Sequence, residues 1–356
     1  MAYSVANTFD QFLDAFKSRH GSKISTAQWS ALNAVLGCRT AQYGTITLKC
    51  PECAQRSMRG ISCGHRFCTQ CQHHTTTEWL ERQAQKLLQV SYFMVSFTLP
   101  YELRKLAETQ AEVVYHLMFQ CAVKTLRSFG VRDKALNAKL AMTGVLHTHN
   151  RRLEYHPHVH FVVPGGGISE KQRDKKKYRQ WCTVKGKYLF NHFNLACVFR
   201  GKLIVALEEE GLEVPDNPKD WVADCRHVGA GLPALKYLSK YLYRGVISDK
   251  QIIKVSDTHV TFSYTDSETK KTRQRCLLGE DFMLLLLQHV LPTGFRRARD
   301  YGFLHGNAKR LLHFVQQILR VMLPRIEPKE RPRFKCPKCA TPMTISNIRL
   351  ASNGSG

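Results

Sequence analysis

Three histidines alternate along Tyr155-His-Pro-His-Val-His-Phe-Val-Val163. On a strand, alternate side chains share a face, so His156, His158 and His160 line one side. At a rise of about 3.3 Å per residue the outer pair lies on the order of 13 Å apart. That is too far to share one ion, whereas neighbours two residues apart can. Pro157 offers no N–H to a ladder, so regular pairing begins after it. This selects His158 and His160 as ligands and leaves His156 flanking them. Two imidazoles leave open positions on a cation, as a catalytic metal requires. A further ligand has to come from His156 or from His147, His149 and Asn150 at the end of the preceding strand.

A second reactive group lies in Leu235-Lys-Tyr-Leu-Ser-Lys-Tyr-Leu-Tyr-Arg244. Tyr237 and Tyr241 stand four residues apart, about 40° round a helix, and so share a face. Lys236, Lys240 and Arg244 repeat the same spacing one position off, forming a basic stripe. Tyr243 falls on a different face. A phenol attacks a phosphodiester when a metal polarises the phosphate and nearby cations favour the phenolate. Tyr237 is nearer the helix N-terminus, where the dipole favours negative charge, so it is expected to act first.

Cys50-Pro-Glu-Cys53 and Cys68-Thr-Gln-Cys71 are C-x2-C hooks separated by fourteen residues. Each hook supplies two thiolates from one turn, and together they predict a tetrahedral structural Zn2+. Cys38, Cys63 and His65 are surplus ligand types nearby, able to enter that tetrad or hold a second ion. A third hook, Cys336-Pro-Lys-Cys339, has no second pair downstream and reads as half a site.

These groups have to be carried by an α+β scaffold. Helical spacing marks 5–20 and 27–36, and a helix is expected over 78–89. Tyr92–Leu99 reads as a strand stopped by Pro100, with helices filling 101–128. Leu140–Thr148 and His158–Val163 read as strands, the second ending at Pro164-Gly-Gly-Gly167. A helix over 189–210, a strand at Trp221–His227 and a helix from Pro233 follow. A hairpin at Val260–Tyr264 and Gln274–Leu278 precedes a final helix at Asn307–Leu323. The expected divisions are a helical zinc-binding DNA-recognition module at 1–88 and a nuclease domain at 89–265. A basic helical extension at 266–325 and a loosely held tail at 326–356 complete the chain.

The 356 residues carry 53 Lys and Arg against 28 Asp and Glu, a formal charge of +25. With 43% hydrophobic residues the chain folds, and so large a basic excess on a folded chain points to nucleic acid. The runs Lys171–Arg179, Lys270–Arg275 and Arg296–Arg299, with Arg296 and Arg297 foremost, are candidates for phosphate contacts. No apolar run reaches the ~18 residues of a membrane span, so no membrane partner is expected. A Gly-x4-Gly-Lys-Ser/Thr loop is missing, so no nucleotide cofactor is expected. An odd count of thirteen cysteines, six of them between Cys38 and Cys71, favours reduced, metal-holding thiols in the cytoplasm.

The order of a double C-x2-C module, the His158-Val159-His160 strand and Tyr237-x3-Tyr241 resembles the rolling-circle insertion-sequence transposases. These are two-tyrosine members of the HUH endonuclease superfamily and relatives of the Helitron transposases. Phe97-Thr-Leu-Pro100, Tyr301-Gly-Phe-Leu-His305 and Asn307-Ala-Lys309 share the resemblance, which spans roughly 30–325. It implies a ferredoxin-like or palm-like antiparallel sheet carrying both histidines, with the tyrosine helix packed over it. It also implies cleavage of single-stranded DNA and hairpins at element ends through a 5′-phosphotyrosine, with Mg2+ or Mn2+ at His158 and His160. A host helicase or replication machinery would supply single strands, and the protein would associate with a bacterial nucleoid. Two other readings leave residues idle: a zinc-dependent DNA-binding regulator uses neither histidines nor tyrosines, and a small-substrate hydrolase lacks further metal ligands. A replication initiator or relaxase nickase would share the chemistry but not the zinc module's position.

Overall fold

The computed structural model describes residues 3–173, 176–230, 246–266, 269–322 and 334–351, together with Pro233. The chain divides into two compact units, each discontinuous in sequence. One comprises 1–75, 243–290 and 325–356, and the other 76–242 and 291–324.

In the first unit, α1 (Val5–His20) is capped by Ser4, whose side chain accepts from the Asn7 N–H. Its buried Val5, Phe9, Phe12 and Phe16 recur at helical spacing. This stripe packs on α7 (Gly279–Leu287), and Phe12 lies so near Gly279 that any Cβ there would clash with its ring. A Ser25–Gln28 capping box starts α2 (Thr26–Gly37). The expected hairpin is present as β10 (His259–Thr265) and β11 (Thr272–Leu278), extended by β9 (Ile252–Val255). Within the cysteine-rich stretch, which has little periodicity, lies a hairpin of β1 (Gly44–Lys49) and β2 (Arg56–Gly60). On its other side β1 pairs antiparallel with β13 (Thr344–Leu350). Within the segment expected as a loosely held tail, Thr344–Leu350 is thus a strand laddered onto β1.

The second unit is built on a five-stranded antiparallel sheet ordered β12-β4-β5-β3-β8. Its strands are β3 (Ser91–Thr98), β4 (Met142–His149), β5 (Tyr155–Pro164), β8 (Ala223–Ala230) and β12 (Ala298–Tyr301). One face is apolar. Phe93, Val95 and Phe97 of β3, Leu146 of β4 and Val159, Phe161 and Val163 of β5 join one core. That core also takes in α5 (Ala111–Arg132) and α6 (His192–Glu209), which pack on this face. Gly144 permits the packing, since a Cβ there would stand 2.5 Å from Phe161 Cε1. Short α4 (Arg104–Thr109) precedes α5.

After Pro164 the chain does not end in a loop but re-enters as a hairpin, β6 (Gly166–Arg173) and β7 (Lys176–Thr183). The final helix, α8 (Lys309–Ile318), is shorter at both ends than expected. Helix α3 (Gln72–Ala84) begins earlier than the spacing suggested. No helix among the described residues is long and apolar enough to cross a membrane.

Asp300 fixes β12 and the segment after α3. Its carboxylate accepts from Thr143 Oγ1 at 2.6 Å, Gln83 Nε2 at 3.0 Å and Lys86 Nζ at 2.5 Å. All four residues are buried or half-buried, so removing the acceptor strands the Thr143 and Gln83 donors and leaves the Lys86 charge, which also donates to the Leu304 carbonyl, without its counter-ion. Asp300→Ala is expected to cost about 3 kcal/mol, read as a lower urea midpoint. An unchanged midpoint would refute that role.

Candidate functional site

On β5, Pro157, Val159 and Phe161 face the core, and the alternation turns His156, His158 and His160 to the other face. Regular pairing with β3 runs from Tyr92↔Pro164 to Thr98↔His158, stopping where Pro157 intervenes. On β4, His147 sits directly opposite His158, and a register shift follows it. Ligand nitrogens of His147, His158 and His160 all lie within 4.8 Å of one another. The rings pack 4.6–5.0 Å apart between centroids. Of the candidates for a third ligand, the structure therefore brings in His147.

The other candidates are engaged elsewhere. Asn150 Oδ1 accepts the N–H groups of Arg152 and Glu154, and its Nδ2 donates to Glu154 Oε2, so it builds the β4–β5 turn. His149 lies opposite Tyr155, beyond the register shift. His156 Nδ1 accepts from Arg104 Nη2 at 2.6 Å, and the Arg104 guanidinium also lies 5.2 Å from the Tyr101 ring. Sequence reasoning missed Arg104. It is 52 residues from His156 and bears no motif.

Burial holds the imidazoles of His147, His156, His158 and His160 neutral. It lowers His158 and His156 to about 4, with Arg104 adding to the effect at His156. Burial lowers His147 and His160 well below the usual range, and the neighbouring histidines and Arg297 reinforce this at His147. A neutral imidazole keeps a lone pair for a metal. His158 Nδ1 donates to the His156 carbonyl at 2.6 Å, which leaves Nε2 as its free donor to a cation. Nδ1 of His160 is buried with no hydrogen-bond partner among the described residues. Three converging neutral nitrogens, one otherwise orphaned, fit a divalent cation.

A pH dependence follows for metal-free protein. Unfolded histidine binds a proton near 6.5, and folded His156 and His158 only near 4. Their contribution to stability is thus full above 6.5 and lost as pH falls from 6.5 towards 4. The urea midpoint is expected to be lower at pH 5 than at pH 7.5; an equal or higher value at pH 5 would contradict the burial.

Arg297 stands beside this site. Its Nε donates to the Leu146 carbonyl at 3.0 Å, and its own carbonyl accepts the Leu146 N–H. Its neighbour Arg296 offers a carbonyl to Arg299 Nε. Tyr237, Tyr241, Lys236, Lys240 and Arg244 lie outside the described residues, as do the side chains of 171–178.

The cysteines are arranged differently from the expected tetrad. Cys50, Cys53, Cys68 and Cys71 do not gather at one point. Instead Cys38, Cys63, Cys68 and Cys71 form one group, and Cys50, Cys53, Cys336 and Cys339 another. The physical reason is the ladder of β13 on β1, which carries the third hook to the first. Cys38 and Cys63 are thus members of a tetrad and not surplus, with both Sγ atoms 3.6 Å from Cys71 Sγ. His65 stays out of it: its Nδ1 accepts the Phe67 N–H at 3.1 Å and its carbonyl the Cys68 N–H. Burial pushes the Cys68 thiol up to about 12, and it also raises Cys63. Four thiolates there need a cation to neutralise them. One signal for the pairing was present in the sequence: both outer hooks read Cys-Pro-x-Cys-Ala.

Residues 141–311 match the family model described as "Putative transposase", and residues 8–99 match one described as "Transposase zinc-binding domain". Among curated relatives, "Putative transposase y4qJ" of Sinorhizobium fredii (strain NBRC 101917 / NGR234) is 31% identical over 355 residues, covering 92% of this chain and 87% of that protein. The transposase for insertion sequence element IS801 of Pseudomonas savastanoi pv. phaseolicola is 25% identical over 310 residues, covering 83% of this chain and 75% of its own. Among solved structures, TrwC complexed with a 27-mer DNA comprising the recognition hairpin and cleavage site is 14% identical, with a TM-score of 0.25 over 65% of this chain and 75% of that one. The match zones divide the chain between a region holding all three clustered histidines and a region holding six cysteines.

Proposed function

The chain belongs to this transposase family, and from that premise we propose that it nicks and rejoins single-stranded DNA at the ends of a mobile element, using a tyrosine nucleophile beside the three-histidine site. The observation that carries this reading is the convergence of His147, His158 and His160 on the face of the central sheet opposite the α5–α6 core. His147, His158 and His160 would hold Mg2+ or Mn2+, which supplies polarisation of the scissile phosphate. An all-nitrogen donor set favours Mn2+ over Mg2+ in affinity. His158 is held in its ligating tautomer by the His156 carbonyl, and Arg104 holds His156 in turn.

Tyr237 or Tyr241 loses its phenolic proton and its oxygen attacks phosphorus. The bond to the 3′-oxygen breaks, and that oxygen takes up a proton to leave a free 3′-hydroxyl. The 5′-phosphate is then esterified to tyrosine. One phosphodiester is exchanged for another, so rejoining to a second 3′-hydroxyl needs no nucleotide hydrolysis. Arg297 is a cation beside the histidines, suited to the phosphate charge.

The zinc held by the N-terminal region has a structural part, since four thiolates close the coordination sphere. We assign it to Cys38, Cys63, Cys68 and Cys71. The test is incubation of the full chain with labelled single-stranded element ends and Mn2+, resolved on a denaturing gel. A covalent protein–DNA band that requires the cation is expected. Binding of the same DNA without cleavage or adduct would overturn the assignment in favour of a non-catalytic DNA-binding role.

A further inference from the structure

Cys336 and Cys339 lie outside the residues matched as a zinc-binding domain, yet their thiols meet those of Cys50 and Cys53. The two hooks are the same turn built twice. In each, the N–H of the first cysteine donates to the carbonyl five residues on, Cys50 to Gln55 and Cys336 to Thr341, both at 2.9 Å. In each, the residue after the second cysteine is an alanine in the left-handed region, with φ of 55° at Ala54 and 60° at Ala340. An alanine takes that conformation only where its surroundings impose it. The same strained turn therefore recurs in two segments nearly three hundred residues apart, and the two face each other.

Their sulfurs are set for one ion. Sγ separations are 3.4 Å for Cys50–Cys339, 3.5 Å for Cys53–Cys336 and 3.6 Å for Cys53–Cys339. A tetrahedral zinc with bonds near 2.3 Å places its sulfurs about 3.8 Å apart. A disulfide needs about 2.05 Å. Among the described residues, the surrounding apolar cluster adds only Ile46, Leu48 and Met343 to the cysteines. So small a core does not hold a three-stranded sheet by burial alone.

We propose that Cys50, Cys53, Cys336 and Cys339 bind a second structural zinc ion, separate from the one at Cys38, Cys63, Cys68 and Cys71, and that it fastens β13 to the β1–β2 hairpin. The ion closes a loop that contains the whole histidine-bearing unit. Such long closures remove the most chain entropy from the unfolded state.

The test is elemental analysis of the purified full-length chain, paired with thiol labelling. Wild type is expected to hold two zinc equivalents, and Cys336→Ser,Cys339→Ser one. Wild type with a single equivalent that survives the double substitution would overturn the site. So would a variant that keeps both. Labelling needs no variant. Cys339 is exposed, so an unligated thiol there alkylates readily, whereas a zinc-bound one is protected until a chelator is added. Protection lifted by chelator supports the proposal. Immediate alkylation, or protection lifted only by a reductant, overturns it, the last by identifying a disulfide.

Discussion

Tyr237→Phe,Tyr241→Phe protein is expected to form no covalent adduct with single-stranded element ends, while its affinity for that DNA and for metal stays near wild type. The phenolic oxygens are the proposed nucleophiles, and phenylalanine keeps the aromatic ring while deleting only those atoms. Loss of a nucleophile removes a transition-state interaction outright, and a fall on the order of 10⁴-fold or more is expected in the rate of cleavage. The single variants should divide the work. Tyr237→Phe should strongly reduce the first adduct, whereas Tyr241→Phe should still nick but fail to complete strand transfer. Quantifying adduct on denaturing gels checks all three proteins. A double variant that still forms an adduct would transfer the chemistry to Tyr243 or another nucleophile and end this mechanism.

The second large effect is expected at His147. Its ring lies 4.6 Å from that of His160 and 5.0 Å from that of His158, and it is 4% exposed. Losing one of three ligands should weaken cation binding and remove several kcal/mol of charge stabilisation, on the order of 10³-fold in cleavage. The expected signature is partial rescue of His147→Ala by raised Mn2+, with the urea midpoint at neutral pH measured alongside to separate unfolding from lost ligation. His149→Ala serves as the comparison, since His149 stands past the register shift. If His149→Ala lost Mn2+-dependent cleavage and His147→Ala kept it, the ligand assignment would be wrong.

Much of this site was legible in sequence because its signals are local. The alternation of β5 shows which residues share a face, and Pro157 marks where the ladder breaks, as the pairing with β3 bears out. The choice of His147 over His149 was not legible, because it rests on the register of β4 against β5. That register is set by the whole sheet, not by either strand alone. The β6–β7 hairpin escaped notice because a glycine- and lysine-rich stretch carries no apolar alternation. β13 escaped for a related reason: all seven of its residues are exposed, so burial left no imprint on their types. Grouping of the cysteines required that pairing to be known. Spacing alone favoured the nearer hooks, since short loops close at lower entropic cost.

The pairing of β1 with β13 also sets an order of events on the ribosome. β1 and β2 emerge early, but Gly44–Lys49 must wait for Thr344–Leu350, which are translated only after the entire histidine-bearing unit. During that interval one edge of β1 is an open row of backbone donors and acceptors, available to chaperones or to wrong strands. A chain broken off before Cys336 would keep that edge open permanently, even with every histidine and tyrosine in place. Synthesis as far as Leu350 is thereby required to close the β2–β1–β13 sheet, and proteolysis of nascent or truncated chains should begin there.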